Sequence, residues 1–235
     1  RFLDSDDKIG PGSIERLFEF AEDNGLDLLA FGAAVFYENE QLKEKFSSSA
    51  DYYRCSKDLS KATSGQQLFA ALNSICEYRA NAGLLFIRRD FLKRSGIEFI
   101  PGILHEDEAF GFECLLKATR AARINEIHYL RRIRPDSIMT KAKSFKNLYG
   151  YLRVYMEQAF IVGKIKFENK NAERAALQVM NNMGRACIST WHRIPNEEKK
   201  KISTLTALEK FRFDALIGAS VLHGAHKSAN LETRI

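Results

Sequence analysis

The chain opens on Phe2-Leu3-Asp4-Ser5-Asp6-Asp7, two apolar residues followed by three carboxylates in four positions. No other stretch limits the possible folds as much. Phe2 and Leu3 read as the end of a buried strand, and a strand end holds short Asp side chains near a fixed backbone. Clustered Asp oxygens are hard ligands, suited to Mg2+ or Mn2+ that also binds phosphate. An acidic turn after a strand accounts for the same residues, because Asp and Ser are ordinary turn formers. A calcium-binding EF-hand loop from Asp4 is excluded: Lys8 and Ile9 fall where a ligand and the turn glycine belong. A haloacid-dehalogenase-type phosphatase motif fails too, since Lys8 stands where Thr or Val is required.

Downstream, strand and helix signals alternate. Pro11-Gly12-Ser13 is a turn, Ile14, Leu17, Phe18 and Ala21 recur at helical spacing, and Gly25 stops that helix. Asp27 to Tyr37 is an apolar run with Gly32 inside, most simply a strand, and residues 38–62 read as a polar loop region. Ser64-Gly65-Gln66-Gln67 reads as a capping box opening a helix to about Cys76. Leu84 to Arg88 predicts a short strand, Asp90 to Ser95 a helical turn ended by Gly96, and Pro101-Gly102 a turn. His105-Glu106-Asp107-Glu108 heads a helix running to about Arg120, where the macrodipole alone would favour three acids. Ile124 to Arg134 predicts a strand.

Beyond Lys141 the pattern is helix after helix. Phe145, Leu148, Leu152, Tyr155 and Ala159 form one stripe, and Ala172, Ala176, Val179, Met183, Ala186 and Thr190 another. Pro195-Asn196 opens a third, basic segment, Phe211 to Leu222 a last apolar helix, and 224–235 read as a frayed tail. Two regions are therefore expected, 1–140 and a basic helical 141–235.

The net charge of +6 is unevenly placed. Residues 141–235 carry 17 Lys and Arg against 8 Asp and Glu; residues 1–140 carry 19 against 22. Such a basic half is drawn to polyanions, most simply an anionic membrane surface, although solvated helix faces explain it equally. Nucleic acid is not an expected partner, since no recognised module interleaves aromatic with basic residues. Cys55, Cys76, Cys114 and Cys187 are far apart with no C-x-x-C pair, which argues against zinc and suits reduced thiols in a cytoplasm. The five histidines are scattered too, with His223 and His226 read as surface residues near the terminus. The chain lacks an initiator Met and opens on a strand-like segment, which suggests a piece missing an N-terminal portion.

Three ordered pieces resemble the family 2 glycosyltransferases of bacterial surface-polysaccharide synthesis. They are Phe2-Leu3-Asp4-Ser5-Asp6-Asp7, then Leu104-His105-Glu106-Asp107-Glu108-Ala109-Phe110, then Tyr129-Leu130-Arg131-Arg132-Ile133-Arg134-Pro135-Asp136-Ser137-Ile138-Met139-Thr140. The resemblance covers residues 1–140. It implies an α/β fold: the C-terminal, acceptor-side half of a GT-A mixed sheet, followed here by an α-helical extension. The implied activity is inverting, metal-dependent transfer of a sugar from a nucleotide-sugar, with UDP as the expected nucleotide, to a glycan or lipid-linked acceptor. The family's D-x-D element implies Asp6 and Asp4 as ligands of Mn2+ or Mg2+, with Asp7, Arg132 and Arg134 on the donor diphosphate. Asp107 is implied as the general base, with Glu106 or Glu108 orienting it or simply capping the helix, and His105 beside the acceptor. Arg131 departs from the family, which often has an aromatic there, and leaves open which Arg acts. With the donor-binding half upstream, this chain alone is expected to be inactive, in a cytoplasmic enzyme held peripherally at the inner membrane face. The alternative is a non-catalytic interaction module that binds a partner or membrane through its basic helices.

Overall fold

The computed structural model describes residues 1–47, 51–135 and 141–232, with side chains described to residue 220. Two long strands, β2 (Leu28–Tyr37) and β5 (Ala121–Ile133), run parallel at the centre of a mixed sheet. Each begins with a run of successive buried residues, 28–33 in β2 and 121–124 in β5, as strands covered on both faces must. In β2 the side chains alternate: Leu28 and Ala30 enter one core cluster, while Leu29, Phe31 and Ala33 enter the other.

Three short strands complete the sheet, each antiparallel to its neighbour. β4 (Leu85–Ile87) lies along β2, and the outer edge of β5 is shared by β3 (Leu59–Thr63) near its start and β1 (Lys8–Ile9) near its end. The register between β2 and β5 shifts around Gly32. A Cβ there would sit 3.3 Å from the carbonyl oxygens of Glu126 and Tyr53, so the close backbone approach favours glycine.

Helix α1 (Ser13–Asp23) covers one face, burying Leu17 and Ala21. The other face packs on α3 (Gly65–Ser74) and α5 (Glu106–Lys117). Behind them lie α6 (Phe145–Lys164) and α7 (Lys170–Arg193), whose Ile161, Ala175, Ala176 and Val179 enter that same apolar cluster. The helical region is thus continuous with the core of the sheet. A further cluster of Leu148, Leu152, Cys187, Ile194 and Phe213 ties α6 and α7 to α9 (Ala207–Glu232). Short helices α2 (Glu40–Lys45), α4 (Arg89–Ser95) and α8 (Asn196–Lys200) fill connections.

Several expectations change. Phe2 and Leu3 belong to no strand and are 38% and 49% exposed; β1 begins only after the acids, where β5 offers a pairing edge. The supposed loop 38–62 holds α2, capped by Asn39, and most of β3, whose partly exposed residues do not alternate apolar with polar and so carry no strand signature. Helix α5 stops at Lys117, so β5 starts three residues earlier than its apolar run suggested. Phe211, expected on an apolar face, is 65% exposed, while Phe213 is buried. The backbone of α9 continues helical through the expected frayed tail to Glu232. The side chains of His223 and His226, the final residues 233–235, and Asp136 to Thr140 of the third motif lie outside the described residues. All four cysteines are free. Among the described residues no helix is long and apolar enough to cross a membrane.

Candidate active site

The opening acids form a tight turn, closed by the Asp7 amide donating to the Asp4 carbonyl at 3.1 Å. Asp7 then fastens this turn to the far end of β5. Its Oδ2 accepts from the Tyr129 hydroxyl at 2.6 Å and its Oδ1 from the Arg132 amide at 2.7 Å. Both oxygens are therefore engaged with the protein itself. Asp6 pairs with Arg134, which holds its carboxyl below the usual range. Asp4 reaches solvent, but partial burial and then the charges of Asp7 and Asp6 raise its carboxyl, with Glu106 adding to the rise.

Tyr129 is buried, and its ring lies against the backbone of a short 3-10 turn at Ala82–Leu84. A Cβ on Gly83 would stand 2.8 Å from that ring, so only glycine admits it. Asn81 shapes the turn by accepting from the Gly83 amide at 2.7 Å, the ordinary Asx arrangement. The neighbouring Ala82 amide donates to the Asp107 carboxylate. A single chain of contacts thus joins Asp7, Tyr129, the 82–84 turn and Asp107.

Asp107 lies in the first turn of α5, which begins after His105 in the left-handed conformation (φ 68°). Burial pushes its carboxyl up to about 6 against the Ala82 hydrogen bond, with Glu106 and Asp4 adding negative charge. The opening acids and the Glu106-Asp107 pair, remote in the chain, consequently sense one another's charge. Burial, and then Asp107, push Glu108 up to about 7.

The helical region builds the remaining wall. The His105 ring stacks on Tyr151 of α6 at 4.2 Å with planes 7° apart, and its Nε2 lies 3.3 Å from the Asn147 amide nitrogen. Burial, and then the Lys143 charge, lower His105 to about 4, so the ring is neutral at neutral pH. Gly150 lets α6 press against the loop before α5: a Cβ there would lie 2.2 Å from the Leu104 carbonyl oxygen. Gln158 donates to the Glu108 carbonyl at 3.1 Å.

On the opposite side Arg132 faces Glu38 at 3.2 Å, and Arg131 sits over the Tyr53 ring at 5.0 Å and bonds its hydroxyl. Arg131 therefore has an aromatic partner in place of the aromatic side chain the family often carries. Arg132 and Arg134 are each about two-fifths exposed at this rim. Tyr129 entered the sequence reading only as the first residue of the third motif, with no role, and the 82–84 turn, Tyr53 and Tyr151 did not enter it as site residues. Only the Asn81-x-Gly83 turn signature was there to be read.

Among the described residues no three His, Cys, Asp or Glu side chains converge as an all-protein metal cage would need. A cation that shares its coordination with phosphates needs only one or two carboxylates. Asp7, with both oxygens bound, is not available to such a cation, which leaves Asp4 and Asp6 as the carboxylates of the turn to consider.

No family model matches the chain, and no curated protein is recognisably similar in sequence. Solved structures match it in fold. A crystal structure of S. aureus TarS residues 1–349 with UDP-GlcNAc superposes with a TM-score of 0.56 at 15% identity, covering 93% of this chain and 55% of that one. The same protein with UDP gives 0.53 at 14% identity, over 89% and 51%. A TarS structure of which 35% is covered gives 0.52 at 15% identity. The chain has part of a glycosyltransferase fold. It spans about half the length of the TarS 1–349 chains it matches. At this identity the likeness concerns the fold alone, and it does not bear on the resemblance to family 2, which lies in the three sequence motifs.

Proposed function

We propose that the chain carries the acceptor-side half of an inverting glycosyltransferase that uses a nucleotide-sugar. The observation that carries this reading is the seating of the opening turn beside the head of α5, where the Phe2 ring meets the Phe110 ring edge-on at 5.4 Å; the charges of Glu106 and Asp4 acting on Asp107 agree with it. The fold's likeness to structures bound to UDP-GlcNAc and UDP supports UDP as the nucleotide.

Asp107 is the proposed general base. A carboxyl raised to about 6 is ionised at neutral pH and remains a better proton acceptor than an ordinary aspartate. It takes the proton from an acceptor hydroxyl as that oxygen attacks the anomeric carbon and the nucleoside diphosphate departs from the opposite side. The Ala82 amide fixes the carboxylate, and Glu106 keeps its pKa high. Asp4 and Asp6 would hold Mn2+ or Mg2+, whose contribution is neutralisation of the departing diphosphate. Arg132 and Arg134 stand at the rim as diphosphate-binding candidates. Asp7 holds the acidic turn to β5 and needs no contact with the donor. His105, being neutral, can offer a hydrogen bond to an acceptor glycan or lipid-linked sugar.

Asp107→Asn in the intact enzyme tests this. Transfer should fall by about a thousandfold or more, the loss expected of a general base, while UDP affinity stays within about twofold. Near-normal turnover would remove Asp107 from the role.

A further inference from the structure

Asp51 to Arg54 form a tight turn, closed by the Arg54 amide donating to the Asp51 carbonyl at 3.1 Å and by an ion pair between the two side chains at 3.0 Å. Tyr52 and Tyr53 are its central residues. Turns ordinarily take Gly, Pro, Asn, Asp or Ser, so two aromatic rings here need another reason. Tyr53 has one inside the fold: it packs against the core on the α1 face of the sheet, and its carbonyl accepts from the Ala33 amide of β2 at 3.0 Å. Tyr52 leaves half of itself outside. It is 51% exposed, and among the described residues its hydroxyl has no hydrogen-bond partner.

The exposed ring is nevertheless held in place. The Arg79 guanidinium lies over it, 4.0 Å from the centroid, and the Tyr53 ring meets it at 4.7 Å with the planes 89° apart. Arg79 is itself pinned, donating from Nε to the Tyr52 carbonyl at 2.9 Å and from Nη1 to the Cys76 and Tyr78 carbonyls at 2.8 Å each. A ring fixed in this way loses little further freedom when a ligand stacks on it. The turn also joins the candidate site, because the Tyr53 hydroxyl accepts from Arg131. Arg131 stands on the same face of β5 as Tyr129, roughly 7 Å along the strand from the residue that clasps Asp7. A pyranose with equatorial substituents shows C–H groups on each face and hydroxyls around its rim. An aromatic ring bordered by a carboxylate and a guanidinium matches both.

We propose that Tyr52, braced by Arg79, is a stacking platform for a pyranose ring of the substrates, with Asp51 and Arg54 taking the ring's hydroxyls. That ring belongs to the acceptor or to the transferred sugar of the donor. The choice between those sources rests on the glycosyltransferase reading; the stacking itself does not.

Saturation-transfer NMR of the full chain with N-acetylglucosamine tests the platform without requiring activity. Saturable binding is expected, kept within about twofold in Tyr52→Phe and Tyr52→Trp and weakened about tenfold in Tyr52→Leu. Asp51→Asn, at a side chain 74% exposed where folding is not at stake, should weaken it about threefold. Lack of saturable binding, or Tyr52→Leu and Asp51→Asn proteins that bind like the parent, would overturn the proposal. In the intact enzyme, displacement of the monosaccharide by UDP-GlcNAc but not by UDP assigns the platform to the donor sugar, and displacement by neither assigns it to the acceptor. Displacement by UDP would mean that Tyr52 meets the nucleotide, which overturns the sugar assignment. Since transfer is not measured, failure of the platform leaves the role of Asp107 standing, and an active Asp107→Asn enzyme leaves the platform standing.

Discussion

Asp107 should be a stability liability as well as the base. Its folded pKa of about 6 lies above the usual 3.8, so between those values the folded state binds more protons than the unfolded. Its contribution to stability is therefore lost as pH rises from about 4 to 6 and stays unfavourable above. Asp107→Asn should raise stability at pH 7 by about 1–2 kcal/mol, after discounting for the solvent it retains. The gain should vanish near pH 4, which thermal melts at the two pH values would reveal. Sugar transfer by the intact enzyme should in turn decline as pH falls through about 6, because the base becomes protonated. A rate flat from pH 5 to 8 would contradict that. Tyr129→Phe removes the hydroxyl on Asp7 Oδ2 from a buried site and should cost about 1.5–3 kcal/mol in urea unfolding, as expected of a hydrogen bond to a charged group.

Helix α6 is the element on which the site's precision depends. It is held to the loop before α5 by a backbone approach that only glycine permits, by the Asn147 and Tyr151 contacts to His105, and by Gln158 on the Glu108 carbonyl. Gly150→Ala would place a methyl 2.2 Å from the Leu104 carbonyl oxygen, closer than any side-chain shift can relieve. It should destabilise the fold by about 1–3 kcal/mol and move His105 away from Tyr151. An unchanged melting temperature would mean that α6 is not seated on this loop. The 82–84 turn plays the matching part on the other side, since Gly83 admits Tyr129 and Ala82 holds Asp107.

The charge distribution divides the molecule into a near-neutral sheet region and a basic helical region. We propose that the basic helices rest on an anionic membrane surface at the cytoplasmic face. Vesicles containing phosphatidylserine should then retain the full chain at about 10 mM salt and release it at several hundred millimolar, as screening shortens the reach of the field. Equal retention on neutral vesicles would refute the idea. Because α6 and α7 pack into the same cluster as α3 and α5, removal of residues 141–235 should unfold the remainder rather than liberate a domain.

Hydrophobic period and turn chemistry sufficed to indicate most elements. The apolar run of β2, the stripe of α6 and the Gly96 stop all stand where local pattern placed them, because each depends on near neighbours in the chain. The same local logic went astray at Phe2-Leu3 and at β3, where pairing with β5 decides what is strand. By itself, then, the sequence determined the alternation of strand and helix, the change to helices after 141, and which acids were worth attention. Tertiary structure alone decided that Asp7 is a clasp, that Tyr129 links the acidic turn to Asp107, and that a helix beyond residue 140 walls the site. Those outcomes depend on backbone approaches and desolvation between remote segments, and one-dimensional spacing carries no record of either.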